Sequence, residues 1–340
     1  MFGYFGVVQT DTAAFAFFTQ RRYRATHWVA FFAVLLGHTA CSFDDDSRYV
    51  EQPRRVFFRA ADTAGRTPLY FWADGNVTDL RAVVTLPARI SQLTVAGREL
   101  WVASPEDSTL RAVDVLTFQE VKRHTLPLAA HHFALGDRDI LLVDTVGRKL
   151  AWLDRTTEAP RYIVEPLDGK PGPPLHLSER FFLPLDAQRL RMFNASTLSA
   201  ESTYVCTYPL AYLTITPQLS IACYLQTGGQ LYQQTLNPTT RQIGPATLRT
   251  GLTRAYPSPY LQARTGTEWL TEVTLNNGRV NATGLTSTVR FMGVDFQYSR
   301  LWAQTAVGDT LIGHDLRRAL TFTRIVLPHR VVEAAYWAGR

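Results

Sequence analysis

Adjacent histidines at 131 and 132 come nearest to chemistry among the residues of this 340-residue chain. Imidazole binds metals and moves protons near neutral pH. Neighbours on a strand point to opposite sides, so only one of the pair reaches a shared site. No pair among the eight histidines stands at chelating spacing, and a metal would need two or three more ligands from remote segments. His131–His132 is therefore expected to supply a hydrogen-bonding rim or channel histidine, and no metal is expected. Asp114, Asp154 and Asp315 look at first like a carboxylate set. No serine has a nucleophile-elbow context, and no Gly-rich loop opens a helix. Cys206 and Cys223, both in apolar strand-like runs ("TYVCTY", "SIACYL"), are 17 residues apart. They read equally as a disulfide, closing a loop worth roughly 3 kcal/mol, or as two buried free thiols.

The elements that must position these residues follow from a repeat. "ELWVASPEDSTLRAVDVLTFQEV", "DILLVDTVGRKLAWLDRTTEAP" and "RFFLPLDAQRLRMFNASTLSAE" align as an apolar run, a polar turn, an alternating run, then Asp or Asn and a second turn. The Asx positions are Asp74, Asp114, Asp154, Asn194, Asn237, Asn276 and Asp315, spaced 40, 40, 40, 43, 39 and 39 residues apart. Pro87, Pro127, Pro166, Pro209 and Pro328 run in phase, and the repeats at Arg249 and Thr288 lack that proline. Regular recurrence makes these Asx residues turn formers, because the side chain bonds its own backbone two residues on. Proline fits just past an outermost strand, where a missing N–H costs no ladder bond. Four short alternating strands per ~40 residues is the length of a propeller blade. The expectation is an all-β, seven-bladed β-propeller over 54–340. The N-terminal repeat has three strand candidates ("RRVFFRAAD", "TPLYFWADG", "DLRAVVTLP"), and the C-terminal "LPHRVVEAAYWAGR" ends after one. Strand 331–338 is therefore expected to close the first blade.

These repeats, best seen in "LPLAAHHFALGDRDILLVDTVGRKLAWLD", resemble the YVTN-type propellers of the broad WD40-like group, with Trp152–Leu153–Asp154 and Ala112–Val113–Asp114 matching the family's strand ending. WD dipeptides and the tryptophan-docking repeats of quinone-dependent propellers are absent, so no such cofactor is expected. In that architecture the loops from each outer strand to the next inner strand converge on one face. They hold Arg89, Ser91, His131, His132, His176, Tyr208, Tyr212, His329 and Arg330. The loops between second and third strands share the face, with Glu106, Asp107, Asp144, Asp186, Arg189 and Asp309. Loops on a rigid scaffold are where function usually sits. The candidate ligand or partner residues are Arg89, His131, His132, Asp144, His176, Asp186 and Tyr212, with no catalytic residue and no cofactor assigned.

The front of the chain gives an address. A basic stretch (Arg21, Arg22, Arg24), an apolar run from Trp28 to Gly37, and small residues before Cys41 stand in secretory order. The run is too short to span a bilayer. The arrangement resembles the lipobox of bacterial lipoproteins, with His38 where Leu is usual. The resemblance implies an acylated Cys41, and Ser42 implies delivery to the outer membrane. The plainer alternative is a cleaved signal with an incidental cysteine. Residues 1–20 fit no part of a signal, which points to a start further in. The expected organisation is a signal over 1–40, a tether over 41–53 and the propeller over 54–340. Losing three arginines and one aspartate with 1–40 takes the net charge from +6 to +4. The arginines are scattered singly, whereas a nucleic-acid surface wants a clustered stripe, so no nucleic acid is expected.

The reading that results is a monomeric envelope lipoprotein, held to the membrane through Cys41 and binding or scaffolding a protein partner. The rival is a channel-mouth lactonase or hydrolase, for which Asp144, Asp186 and His131 are the candidates. Gluconolactonase-type propellers hold a divalent cation there. A sensor or carrier of a small ligand is the third.

Overall fold

Alternation of apolar and polar residues gives strands throughout, and among the described residues no helix occurs. The computed structural model describes residues 54–61, 66–73, 81–83, 89–154, 162–216, 219–249, 254–256, 258–265, 268–274, 280–285, 289–295, 300–305, 310–318, 320–327 and 329–337. Within 81–83, 162–163, 254–292 and 294–295 it describes the backbone alone. The expected signal, Cys41 and the tether over 41–53 lie outside the described residues, as do Asp74, Pro87, Asn276, Thr288, Asp309 and Pro328.

Among the described residues the strands form seven antiparallel sheets, six of four strands and one of five. The second sheet shows the plan: Gln92–Ala96, Glu99–Ser104, Thr109–Asp114 and Glu120–Thr125, each paired with the next. Its middle strands are buried almost throughout, while the last is exposed at most positions. Neighbouring sheets touch in series, all but one of the links including first strands on both sides. Val331–Trp337 meets Gln92–Ala96, which meets His132–Leu135, then Leu175–Leu177 and Leu210–Ile215. The series continues through Arg254–Tyr256 and Ser258–Thr265 to Val289–Asp295, which returns to Val331–Trp337.

The first sheet joins the two ends of the described chain. Val331–Trp337 pairs with Arg55–Ala60, followed by Leu69–Ala73 and Arg81–Val83. Glu333 and Arg59 are register partners. Arg59 Nε donates to Glu333 Oε2 at 2.9 Å, and that oxygen also accepts Leu93 N–H of the second sheet at 3.0 Å. Side-chain amides make similar ties elsewhere. Gln92 bonds both backbone groups of Phe133, at 2.8 and 2.9 Å. Gln304 donates to His329 O at 3.0 Å and accepts from Val331 N at 2.7 Å.

The repeated Asx residues do what their spacing predicts. Asp114 Oδ1 accepts the N–H groups of Leu116 and Thr117 at 2.9 and 2.8 Å. Asn194, Asn237 and Asp315 repeat the motif with the residues two and three beyond them. Four positions past the Asx, Phe118, Leu198 and Arg241 take left-handed backbone, with φ of 59°, 58° and 57°. The repeat that lacks its proline, at Arg249, is also the one whose outer strand is split, into Gln242–Ile243 and Thr247–Leu248. Gly244–Pro245 intervenes, and proline cannot donate to a ladder.

Candidate functional site

The end of the sheets opposite the Asx turns carries a cleft of about 660 Å³. The segment before the second sheet lines it with Arg89, Ile90 and Ser91, and the 2–3 loop of that sheet adds Pro105 and Glu106. The third sheet contributes Ala129 and His131 before its first strand, and Asp144, Val146 and Gly147 from its own 2–3 loop. Arg59 reaches in from the first sheet. Both loop classes expected to share a face therefore meet in one cleft.

Backbone hydrogen bonds fix these loops. His131 N–H donates to Val143 O at 2.9 Å, and Ile90 N–H to the buried Thr67 Oγ1 at 2.8 Å. Ser91 Oγ donates to Ala130 O at 3.2 Å, linking the two inter-sheet segments. Asp144 Oδ1 accepts Val146 N–H at 3.0 Å and Gly147 N–H at 2.7 Å. This is the same motif as the Asx turns at the far end, so Asp144 holds a turn as well as facing the cleft. A Cβ on Gly147 would lie 2.4 Å from Asp144 Oδ2, so the glycine leaves room for that carboxylate.

Each basic group of the cleft has an acid beside it. Arg59 has Glu333, and Arg89 Nη1 stands 3.2 Å from Glu106 Oε1 with both side chains about half exposed. His131 Nδ1 lies 3.3 Å from Asp144 Oδ1 but is not aligned for a hydrogen bond, and that buried nitrogen has no partner among the described residues. Burial pushes the Glu333 carboxyl up despite Arg59 and Leu93 N–H. Val146 projects from the rim, 80% exposed.

His132 is not among the residues that line the cleft. Burial, helped by the charges of His131 and Arg59, lowers its pKa to about 4. The folded state thus prefers neutral imidazole, and the unfolded chain binds more protons between about pH 6.5 and 4. Stability present above that window is lost as pH falls through it. Between pH 7.5 and 4.5, His132→Gln should lose about 2 kcal/mol less unfolding free energy than wild type. Urea titrations of both proteins at both pH values check this, and equal losses would refute it. His124 and His314 are lowered by burial too, and Glu333 acts in the opposite sense. The wild-type-to-variant difference isolates His132 from these.

The remaining candidates lie elsewhere. His176 packs on Phe181, ring centroids 4.8 Å apart. Asp186, at φ 53°, accepts Lys170 N–H at 2.7 Å and pairs with Arg189 at 2.5 Å, beside an Asp168 that holds Arg189 and Arg191 at 2.9 Å each. Hydrogen bonds from Arg189 and Lys170 keep the Asp186 carboxyl below its usual range. Tyr212 is half-buried, stacked on Tyr224 at 6.4 Å, and burial raises its pKa. The cleft thus unites Arg89, His131 and Asp144 of the seven candidates. It also contains Arg59 and Val146, which the sequence reading missed. The second arginine of the otherwise apolar "RVFFRA", matched by Glu333 in "VVEAAYW", was the signal for Arg59. Val146 gave none. Among the described residues, no three His, Cys, Asp or Glu side chains assemble as a metal site.

No protein-family model matches the chain, and no curated protein matches it. Solved structures do. A protein from Lactobacillus plantarum aligns with a TM-score of 0.59 at 11% identity, over 84% of this chain and 99% of its own. A dihydro-heme d1 dehydrogenase aligns at 0.54 and 10% identity, over 82% and 74% of the two chains. The β-propeller domain of Cps50 from Myceliophteria thermophila aligns at 0.51 and 11% identity, over 71% and 89%. Identities this low speak for fold alone, and the fold they share with this chain is the β-propeller.

Proposed function

We propose that the chain is a seven-bladed propeller of the bacterial envelope, anchored by a lipid on Cys41, that binds or scaffolds a protein partner through its cleft face. Seven sheets that touch in a closed series support the blade count. The apolar run that ends at Ala40–Cys41 supports the anchor. The observation that carries the binding role is the state of the cleft's charges. Arg59, Arg89 and His131 each face an acid of the scaffold, and Asp144 also accepts two backbone N–H groups. Such groups shape a rim, and Val146 stands beside them with its side chain in water. A partner that covers Val146 and Arg89 would draw its binding energy from few residues, arginine among them. His131 beside Asp144 is the feature that favours the hydrolase reading.

A photo-crosslinking amino acid at Val146 tests the role in cells, with a second label at Val164 on an outer strand as control. The expected result is one discrete adduct from position 146 and none from 164, reduced about tenfold by Arg89→Ala. Palmitate should label wild type but not Cys41→Ser. Equal adducts from both positions, or a hydrolase activity lost in His131→Ala, would overturn the binding role. Equal palmitate labelling would overturn the anchor.

A further inference from the structure

Cys206 follows the outer strand Ala200–Val205 of the fourth sheet, and Cys223 lies in the second strand, Ile221–Thr227, of the fifth. Both are free thiols, 2% and 0% exposed, in one apolar cluster with Met192, Tyr204, Leu213 and Leu225. Each thiol acts on the other: the interaction pulls Cys206 down and, together with burial, pushes Cys223 up. A buried cysteine alone is a small apolar filler. Here the two cysteines of the described residues share one buried cluster that spans two neighbouring sheets. The boundary adjoins the fifth sheet, whose outer strand is split.

We propose that Cys206 and Cys223 are an oxidisable pair whose disulfide staples the fourth sheet to the fifth. In the reaction one thiolate attacks an external disulfide such as oxidised glutathione and expels one thiol. The second cysteine then attacks the mixed disulfide and expels the other. Two cysteine S–H bonds are lost, one S–S bond forms, and the external disulfide is reduced to two thiols. Because both sulfurs are shut off from solvent, the bond forms as the chain folds. Only the natural source of oxidant rests on the envelope reading, and the chemistry is tested without it.

The full chain carrying Cys41→Ser leaves these as its only thiols. Refolded in a glutathione redox buffer, it should lose about 2 Da. After denaturation it should take up no alkylating reagent, and an unreduced digest should link the Cys206 and Cys223 peptides. The linked form should melt roughly 5 °C above the reduced one. Cys223→Ala, refolded alongside, should keep one alkylatable or glutathionylated cysteine. Two alkylatable thiols after oxidative refolding, or glutathione on both cysteines, would overturn the proposal. A linked form that melts below the reduced one would reject the staple.

Discussion

Removing residues 331–340 should leave the protein unable to fold. The strand Val331–Trp337 serves two junctions at once. Val331 shares a core with Phe58, Trp72 and Trp302, while Ala335 and Trp337 share another with Phe57, Leu93 and Leu100. Its loss also strips Gln304 Oε1 of Val331 N–H, and both Arg59 and Leu93 N–H of Glu333. A buried polar group left unpaired costs about 1–3 kcal/mol, and each large apolar side chain removed from a core about 1.5–3 kcal/mol. Together these match a whole stability of ~5–15 kcal/mol. Circular dichroism and urea titration of the truncated chain decide the matter. A cooperative melt within a few degrees of the intact protein would show that the strand is dispensable.

Trp302→Ala should be the most damaging single substitution at the same seam, at about 3–5 kcal/mol. The indole is fully buried and meets Trp72, Phe58 and Phe322 with centroids 5.1, 5.2 and 5.4 Å away, joining the seventh sheet to the first. Its Nε1 is buried without a hydrogen-bond partner among the described residues. Trp302→Phe should therefore cost much less than Ala, about 1–2 kcal/mol, since it keeps an aromatic face and removes an unsatisfied donor. Chemical denaturation at 25 °C measures both. Equal costs for Phe and Ala would mean that the ring packing contributes little.

The repeat was legible because turn chemistry is local. Asp114, Asn194, Asn237 and Asp315 each bind N–H groups two and three residues on, so spacing alone exposes them. The closing strand was legible for the complementary reason that a three-strand remnant at one end lacked what the other end supplied. The cleft was half legible. Which loops share a face follows from strand count, and Arg89, His131 and Asp144 came from that. Which neighbouring loops lie close enough to enclose space depends on side-chain packing, and His176, Asp186 and Tyr212 lie outside this cleft. Asp144 shows the limit most clearly. It escaped recognition as a turn former because no other repeat has one at its position. The state of Cys206 and Cys223 stayed open for a similar reason, since a separation of 17 residues carries no orientation.

The chain enters the described structure at Arg54, and Arg55 pairs with Trp337. Arg55 donates to the carbonyl oxygens of Val115 and Leu116, just past the Asx turn at Asp114. Residues 54 and 337 therefore leave from the end of the strands opposite the cleft. A label attached at Arg54 or Trp337 would therefore report on the Asx-turn end of the first sheet and stand clear of the cleft.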